Sequence, residues 1–408
     1  MKTSLFRPWL VVWHRWFGLV AAGFLTVAGL TGAVIAWDHE IDAWLNPSLY
    51  ESRSQGTPQP ALALARQLEA ADPRLQVSWM PLSTEPGHTL MLWVVPRIDP
   101  QTGLAHVLGF NQVALDPVTG EVQGRRAWGT VSLSREHIVP FLYKLHYSLH
   151  LPEAGGIEWG IWGMGLLAMA WVVDAVVALW LSFPKLSQWR RSFSFRWGQG
   201  PHKVVFDLHR SGGVWVWAAV LVLAVSAVAL NLGDQVMRPV VNWFSPLTPR
   251  VAETLPPVPP NALATLAQHG DAVLARATQI AREEGWSAPP GSLYLRPQSN
   301  AWTVSFHEAG LSHGDMGLGN VQVDLDARTG RILGQAVPGE GSAGDVFLQA
   351  MFPLHSGRIV GLPGRIAVTL LGLLIAVLCV TGVIIWARKR RARHSVNQAL
   401  AGRAAAAT

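Results

Sequence analysis

The sequence predicts an α-helical membrane protein: a four-span helical bundle with two periplasmic α+β domains, built as a tandem parallel repeat. Half of the 408 residues are hydrophobic and only 14% are charged, whereas soluble domains carry roughly 25% charged residues. Four stretches lack charge, or nearly so, over about 20 residues or more, which is the length of a transmembrane helix. Several motifs of the first half recur in the second. The single cysteine excludes a disulfide scaffold.

The four apolar stretches divide the chain into alternating spans and connecting segments. We expect a cytoplasmic N-terminus (1–15), a first span (16–37), a first outer domain (38–145), an approach and second span (146–184), a basic loop (185–205), a third span (206–233), a second outer domain (234–345), an approach and fourth span (346–387) and a basic tail (388–408).

The basic residues predict the orientation of these spans. Fourteen Lys or Arg and no Asp or Glu lie in residues 1–16, 184–205 and 387–408. The positive-inside bias places all three segments in the cytoplasm. Both termini are then cytoplasmic, and the two long segments face the periplasm of a bacterial inner membrane. The net charge of +6 is explained by basic residues in the cytoplasmic segments. We therefore expect contact with membrane lipid and no binding of nucleic acid.

Each outer segment has the pattern of a small α+β domain. A proline-rich entry (57–60; 255–260) leads to a helix-like stretch (61–71; 262–284) and then to strand-like pieces at 89–95, 113–115, 301–306 and 321–325. A Leu-Asp-x-x-Thr-Gly turn at 115–120 recurs at 325–330. Its glycine is expected to supply a positive φ between two strands.

Four histidines recur with the spans. His14 and His209 share a His-Arg-x-x-Gly pattern at an offset of 195, and His146 and His355 precede the second and fourth spans at an offset of 209. The first and fourth spans also share a Leu/Val-Thr-Gly sequence at 30–32 and 380–382. Because both copies begin inside, the repeat predicts a pseudo-two-fold axis along the membrane normal.

Two facing imidazoles can clamp a haem iron while the porphyrin fills an apolar bundle interior. We expect His14 to pair with His209 at the cytoplasmic end and His146 with His355 at the periplasmic end. Capping or interfacial histidines are one alternative. A zinc or copper site is another, with His146 and His150 four apart on one helical face and His355 completing the set. Without a Cys-x-x-Cys-His motif, any haem is b-type.

Other candidates are less specific. Asp174, inside the second span, is either a proton relay, a partner of a haem-edge group or a hydrogen-bonded interhelical acid. His39 is a third possible outer ligand, a substrate contact or an interfacial anchor. The Gly-rich loop 307–319 holds two His and a Met, and is either a mobile surface loop or a contact for a metal-bearing ligand. No phosphate-binding or dinucleotide motif occurs, so electrons would come from quinol or a partner reductase.

The chain resembles the PepSY-associated transmembrane family, whose members are often described as iron-regulated membrane proteins. The matching segments are 14–18, 30–32, 115–120, 145–146, 209–213, 325–330, 353–358 and 361–364. They extend over nearly the whole chain up to about residue 393.

Some members of that family look like inner-membrane ferric-siderophore reductases with two periplasmic PepSY domains. The resemblance implies two haems b, held by His14 and His209 on the inner side and by His146 and His355 on the outer side. His150 and His39 stay open as outer ligands. The substrate implied is a periplasmic ferric chelate or siderophore, reduced for iron uptake.

Two other functions remain open at this level. A non-redox membrane scaffold would use its PepSY domains to bind a periplasmic peptidase or envelope protein, and its histidines would be structural. A quinone-linked cytochrome would carry the same haems but serve another acceptor.

Overall fold

A computed structural model describes residues 6–259, 262–296 and 298–406. Lys2, Pro260 and the last two residues of the basic tail lie outside these ranges. The described helices are, in chain order, α1 (Arg7–Ile35), α2 (Asp38–Leu45), α3 (Pro47–Tyr50), α4 (Ala61–Ala71), α5 (Ile138–Ser148), α6 (Trp159–Ser182), α7 (Pro201–Asn231), α8 (Arg238–Phe244), α9 (Val251–Thr254), α10 (Leu266–Glu284), α11 (Ala343–Ser356) and α12 (Leu362–Ala406).

The described strands are β1 (Leu75–Pro81), β2 (Leu90–Pro96), β3 (Gln112–Leu115), β4 (Val122–Arg126), β5 (Glu153–Ala154), β6 (Ile157–Glu158), β7 (Pro290–Leu295), β8 (Ala301–Phe306), β9 (Val321–Asp326) and β10 (Ile332–Ala336). Strands β5 and β6 form a separate short hairpin.

Four of the helices are long and apolar enough to cross a membrane: α1, α6, α7 and α12. They form a bundle in which α1 contacts α12 and α6, and α7 contacts the same two helices. Two of them begin well before the apolar stretch, α1 at Arg7 and α7 at Pro201, each with a proline in its first turn. Proline is favoured there because the first amides of a helix need no intrahelical acceptor. The early starts place His14 and His209 inside helices.

Helices α1 and α12 approach each other closely at two glycines. A Cβ on Gly29 would collide with the carbonyl oxygen of Gly372, and a Cβ on Gly372 with that of Gly29. Small residues at such crossings let the backbones of membrane helices come together. This contact fixes the position of the end of α1, where one of the candidate sites is built.

The connecting segments 38–145 and 234–345 together form one eight-stranded antiparallel sheet, in the order β10-β9-β8-β7-β1-β2-β3-β4. The sequence predicts two separate α+β segments, and the structure joins them edge to edge through β1 and β7, with Trp79 opposite Tyr294 and Met80 opposite Leu293. Helices α4 and α10 pack together and share one apolar core with the sheet. We call the end of the bundle that carries this sheet the sheet side and the opposite end the far side.

The repeated Leu-Asp-x-x-Thr-Gly turn has the same geometry in both halves. One carboxylate oxygen accepts from the backbone amides two and three residues later, at 2.9 and 3.0 Å for Asp116 and at 3.0 Å each for Asp326. The glycines have φ of 81° at Gly120 and 69° at Gly330. The predicted strand–turn–strand with a positive-φ glycine is confirmed.

A buried ion pair connects the sheet to the bundle. The Arg126 guanidinium of β4 donates to the Asp42 carboxylate of α2 at 2.7 Å, and both side chains are at most 5% exposed. The Tyr50 hydroxyl donates to the same carboxylate at 2.7 Å. Since a buried charge is costly unless it is paired, this contact holds the sheet in a fixed position over the sheet side of the bundle.

Candidate functional site: two histidine pairs in the helical bundle

Two shorter helices bring His146 and His355 together at the sheet side of the bundle. Helix α5 packs against α1, and α11 packs against α7. His146 lies in the last turn of α5 and His355 in the last turn of α11. Their ring centroids are 6.1 Å apart and their planes are inclined by 66°.

The protonated nitrogen of His146 follows from its contacts with α1. Its Nδ1 lies 2.9 Å from the Ala28 carbonyl oxygen and 3.1 Å from the Thr31 hydroxyl. The Thr31 hydroxyl already donates to the Val27 carbonyl at 2.7 Å, so it accepts from the ring. Because a carbonyl oxygen only accepts, Nδ1 carries the proton and Nε2 keeps its lone pair.

His355 is held in the same way by α7. Its Nδ1 lies 2.9 Å from the Ser226 hydroxyl, which itself donates to the Val222 carbonyl at 2.8 Å. The Leu223 carbonyl is a further acceptor. Leu223 and Ser226 follow Ala28 and Thr31 by 195 positions, the offset that separates His14 from His209. In His355, too, Nε2 is the nitrogen left free.

Burial keeps both sheet-side histidines neutral. It lowers the pKa of His146 below its usual value and lowers the pKa of His355 to about 3. The shift arises mainly because charging an imidazole away from water is unfavourable. A neutral imidazole with a free Nε2 is the form that binds metals.

The second pair, His14 and His209, lies at the far side of the bundle. Their ring centroids are also 6.1 Å apart, with planes inclined by 47°. His14 Nδ1 lies 3.0 Å from each carboxylate oxygen of Asp174 on α6. His209 Nδ1 lies 2.9 Å from the Leu378 carbonyl oxygen on α12 and 3.3 Å from the Thr381 hydroxyl. These acceptors again place the proton on Nδ1.

One Thr-Gly step supports a histidine in each pair. Thr31 faces His146 Nδ1 and Thr381 faces His209 Nδ1. A Cβ on Gly32 would lie 2.9 Å from His146 Cε1, and one on Gly382 would lie 3.0 Å from His209 Cε1. Each glycine therefore lets a ring rest directly on the helix backbone. Sequence reasoning did not assign these residues a role, although the repeated Thr-Gly at 31–32 and 381–382 was the available signal.

The spacing of both pairs fits two imidazoles that share one metal ion. A metal–imidazole bond is about 2 Å long and an imidazole ring has a radius of about 1 Å, so two imidazoles bound to one metal ion would have centroids up to about 6 Å apart. Among the described residues, no side chain or backbone group hydrogen-bonds the Nε2 atom of any of the four histidines. Their Nδ1 atoms all donate to fixed acceptors, the arrangement that orients metal-binding histidines.

Two arginines next to the far-side pair have unused hydrogen-bonding capacity. The Nε atoms of Arg15 and Arg210 are buried and have no hydrogen-bond partner within the described ranges. Each arginine directly follows one of the far-side histidines in sequence. A buried guanidinium donor of this kind is suited to a carboxylate group of a bound molecule.

His150, one of the histidines left open as outer ligands, lies beyond the end of α5. Helix α5 ends at Ser148, and Leu149 and His150 have positive φ values of 53° and 54°. His150 therefore does not share a helical face with His146, and the prediction that placed both on one face is wrong. The His150 ring stacks on Phe141, with its Nε2 2.8 Å from the Phe141 carbonyl oxygen.

His39 and Asp174 also have defined places. The His39 ring lies against Tyr50, with centroids 5.5 Å apart, so its aromatic contact is with α3 and not with the sheet-side pair. Asp174 is an interhelical acid that joins α6 to α1 through His14. Of the three roles predicted for it, the interhelical hydrogen bond is the one observed.

The Gly-rich loop 307–319 is attached at several points. His307 is 5% exposed, and its ring lies between the Glu308 carbonyl oxygen (2.8 Å) and the Ser292 hydroxyl (3.1 Å). The Gly317 amide donates to the Ile359 carbonyl at 3.1 Å, just beyond α11. His307 is therefore not at the surface but buried against β7, while His313 is exposed.

The start of α11 is fixed by a capping box. The Ser342 hydroxyl accepts from the Asp345 amide at 3.1 Å, and the Asp345 carboxylate accepts from the Ser342 amide at 3.0 Å. We expect Ser342→Ala to weaken the first turn of α11 by about 1 kcal/mol, seen as faster amide hydrogen exchange there. Thr265→Ala removes the equivalent cap of α10 and should leave α11 unchanged. Equal exchange of α11 in S342A and wild type would contradict the assignment.

Fold and site together define a multi-pass membrane protein with an eight-stranded sheet on one side and two histidine pairs within its bundle. The family model of the PepSY-associated TM region matches residues 11–389. The chain belongs to this family, as the sequence motifs predict. No curated protein matches it.

Proposed function

We propose that this protein binds two haems b and passes electrons across a bacterial inner membrane to reduce ferric iron held by a periplasmic chelator. The observation that carries the proposal is the equal spacing of the two pairs: ring centroids are 6.1 Å apart in both, with Nδ1 anchored and Nε2 free. His14 and His209 would hold one haem, and His146 and His355 the other. The buried Nε atoms of Arg15 and Arg210, which have no hydrogen-bond partner within the described residues, would suit porphyrin carboxylates.

The spacing of the pairs along the bundle supports transfer across a membrane. His14 and Thr31, the support of His146, lie 17 residues apart on α1, and the same number separates His209 from Ser226 on α7. At 1.5 Å per residue this is about 25 Å, close to the roughly 30 Å of the hydrocarbon core. One site would therefore lie near each face of the membrane.

The proposed direction of electron transfer follows from the distribution of basic residues. The basic far side would face the cytoplasm and the sheet the periplasm, by the positive-inside bias, and the internal repeat would relate the two halves by a pseudo-two-fold axis. Haem would supply one-electron chemistry between Fe(III) and Fe(II). The protein would orient its ligands and exclude water. The donor would be quinol or a partner reductase, and each ferric ion would take one electron.

The eight-stranded sheet would bind the electron acceptor, which is the periplasmic ferric chelate. Fe(III) is a hard cation that suits oxygen-rich chelators, and Fe(II) suits them less well, so reduction would release the iron. Such a reaction needs no general acid or base. Electron transfer would require a short distance between the sheet-side pair and the bound chelate.

The first test is an absorption spectrum of the detergent-purified protein before and after dithionite, with a pyridine haemochrome assay. We expect a sharp reduced α-band of six-coordinate haem b and two haems per chain. A colourless protein from haem-sufficient cells would overturn the proposal and favour the non-redox scaffold.

The acceptor is tested by mixing the dithionite-reduced protein, freed of excess reductant, with a ferric chelate in the absence of oxygen. We expect reoxidation in step with Fe(II) release. The gallium chelate is the matched control, since Ga(III) has a similar size but is not reduced. Two haems that stay reduced with several classes of ferric chelate would point to a quinone-linked cytochrome with another acceptor.

A further inference from the structure

The two histidine pairs differ in the charge of their hydrogen-bond acceptors. At the far side, His14 donates to both oxygens of a carboxylate, Asp174, at 3.0 Å. Asp174 is buried, with its side chain 9% exposed. At the sheet side, the acceptors of His146 and His355 are backbone carbonyls and hydroxyls. Within the described residues, no Asp or Glu contacts either sheet-side ring.

This asymmetry has a direct consequence for a metal bound to His14. A carboxylate that accepts the Nδ1 proton makes the imidazole a more basic ligand. A negative charge next to a metal ion also favours its higher oxidation state, and burial strengthens the effect because water does not screen it. Neutral acceptors provide neither contribution to the same degree.

We propose that Asp174 sets the direction of electron flow by holding the far-side haem at a lower reduction potential than the sheet-side haem. The inference rests on the proposed function, since it requires a haem at each pair. With a haem at each pair, this difference would favour transfer of one electron from the far-side haem to the sheet-side haem, the first being oxidised as the second is reduced. Asp174 is a positioning residue in this scheme and does not bind the iron.

The second far-side histidine, His209, has neutral hydrogen-bond acceptors. They are the Leu378 carbonyl and the Thr381 hydroxyl, and in this respect His209 is like the sheet-side pair. Arg15 and Arg210 directly follow His14 and His209 in sequence. Because these guanidiniums are common to any variant at position 174, a change in potential on replacing Asp174 reports the carboxylate alone.

The test is a spectroelectrochemical titration of the purified holoprotein and its Asp174→Asn variant. Asparagine keeps an acceptor oxygen for His14 and removes the charge. We expect two potentials in the wild type, a rise of the lower one in D174N, and no movement of the upper one. Asp174→Glu, which keeps the charge, should stay closer to the wild type. Ser226→Ala, which removes a neutral acceptor from His355, should leave the lower potential in place.

The outcomes separate the inference from the function on which it rests. A wild type without haem overturns the proposed function. Two haems with both potentials unchanged in D174N overturn the inference alone. If D174N fails to accumulate, Asp174→Ser provides a smaller neutral replacement, and the low-spin EPR signal of the far-side centre provides a second readout. A g-spread that is unchanged without the carboxylate would also overturn the inference.

Discussion

His355→Ala is expected to remove one of the two proposed haems, lowering the haemochrome ratio from the two per chain that the proposed function requires to one. The variant leaves His146 without the imidazole that faces it, and one histidine alone would hold a b-type haem weakly because no covalent bond retains it. His209→Ala should remove the other haem by the same reasoning. The double variant should be colourless, which the reduced α-band measures directly.

Two controls make this result specific. His150→Ala and His39→Ala change the histidines that the sequence left open as outer ligands, and the structure places their rings against Phe141 and Tyr50. Both variants should retain two haems. A full haem complement in H355A, or the loss of one haem in H150A, would contradict the assignment of the sheet-side pair.

The sequence allowed the pairing of the histidines to be predicted because their spacing is an internal property of the chain. Offsets of 195 and 209 match each histidine to a second one. In the structure the ring centroids within each of these two pairs are 6.1 Å apart. The outer helix α4 (Ala61–Ala71) and strand β8 (Ala301–Phe306) also have their predicted bounds. In these segments an apolar pattern with clear end signals is enough to specify the element.

Other features depend on long-range geometry that a single sequence does not contain. The contact between β1 and β7 joins two strand edges that are about as far apart in the chain as the repeats themselves, and no turn links them. The partner of His14 was equally hidden, because Asp174 on α6 has no counterpart of its own type among the repeated motifs. His150 was misplaced because the four-residue spacing from His146 suggested a helix that ends at Ser148.

The Thr-Gly sequences at 31–32 and 381–382 are visible in the sequence, but their role depends on long-range geometry. The first and fourth spans run in opposite directions, so they are not equivalents in the tandem repeat. Thr31 instead corresponds to Ser226 at the offset of 195. Only the folded bundle shows that Thr31-Gly32 supports a sheet-side histidine and Thr381-Gly382 a far-side one.

Gly32→Val is therefore expected to disrupt the sheet-side site while leaving the far-side site intact. A Cβ at this position would lie 2.9 Å from His146 Cε1, closer than carbon atoms pack, and the Gly29–Gly372 contact one turn away prevents α1 from moving back. The ring must then turn away from the Ala28 carbonyl. We expect loss of one haem, or conversion of one low-spin centre to high spin by EPR.

Gly23→Val is the matched control on the same helix. A Cβ on Gly23 meets nothing within 4 Å, so this variant introduces the same β-branched side chain without touching a histidine. It should keep two low-spin haems. Gly382→Val should reproduce the defect at the far side, because its Cβ would lie 3.0 Å from His209 Cε1. If G32V retained both centres unchanged, the His146 ring could not rest on α1 as the hydrogen bonds require, and the ligand geometry argued from them would fail with it.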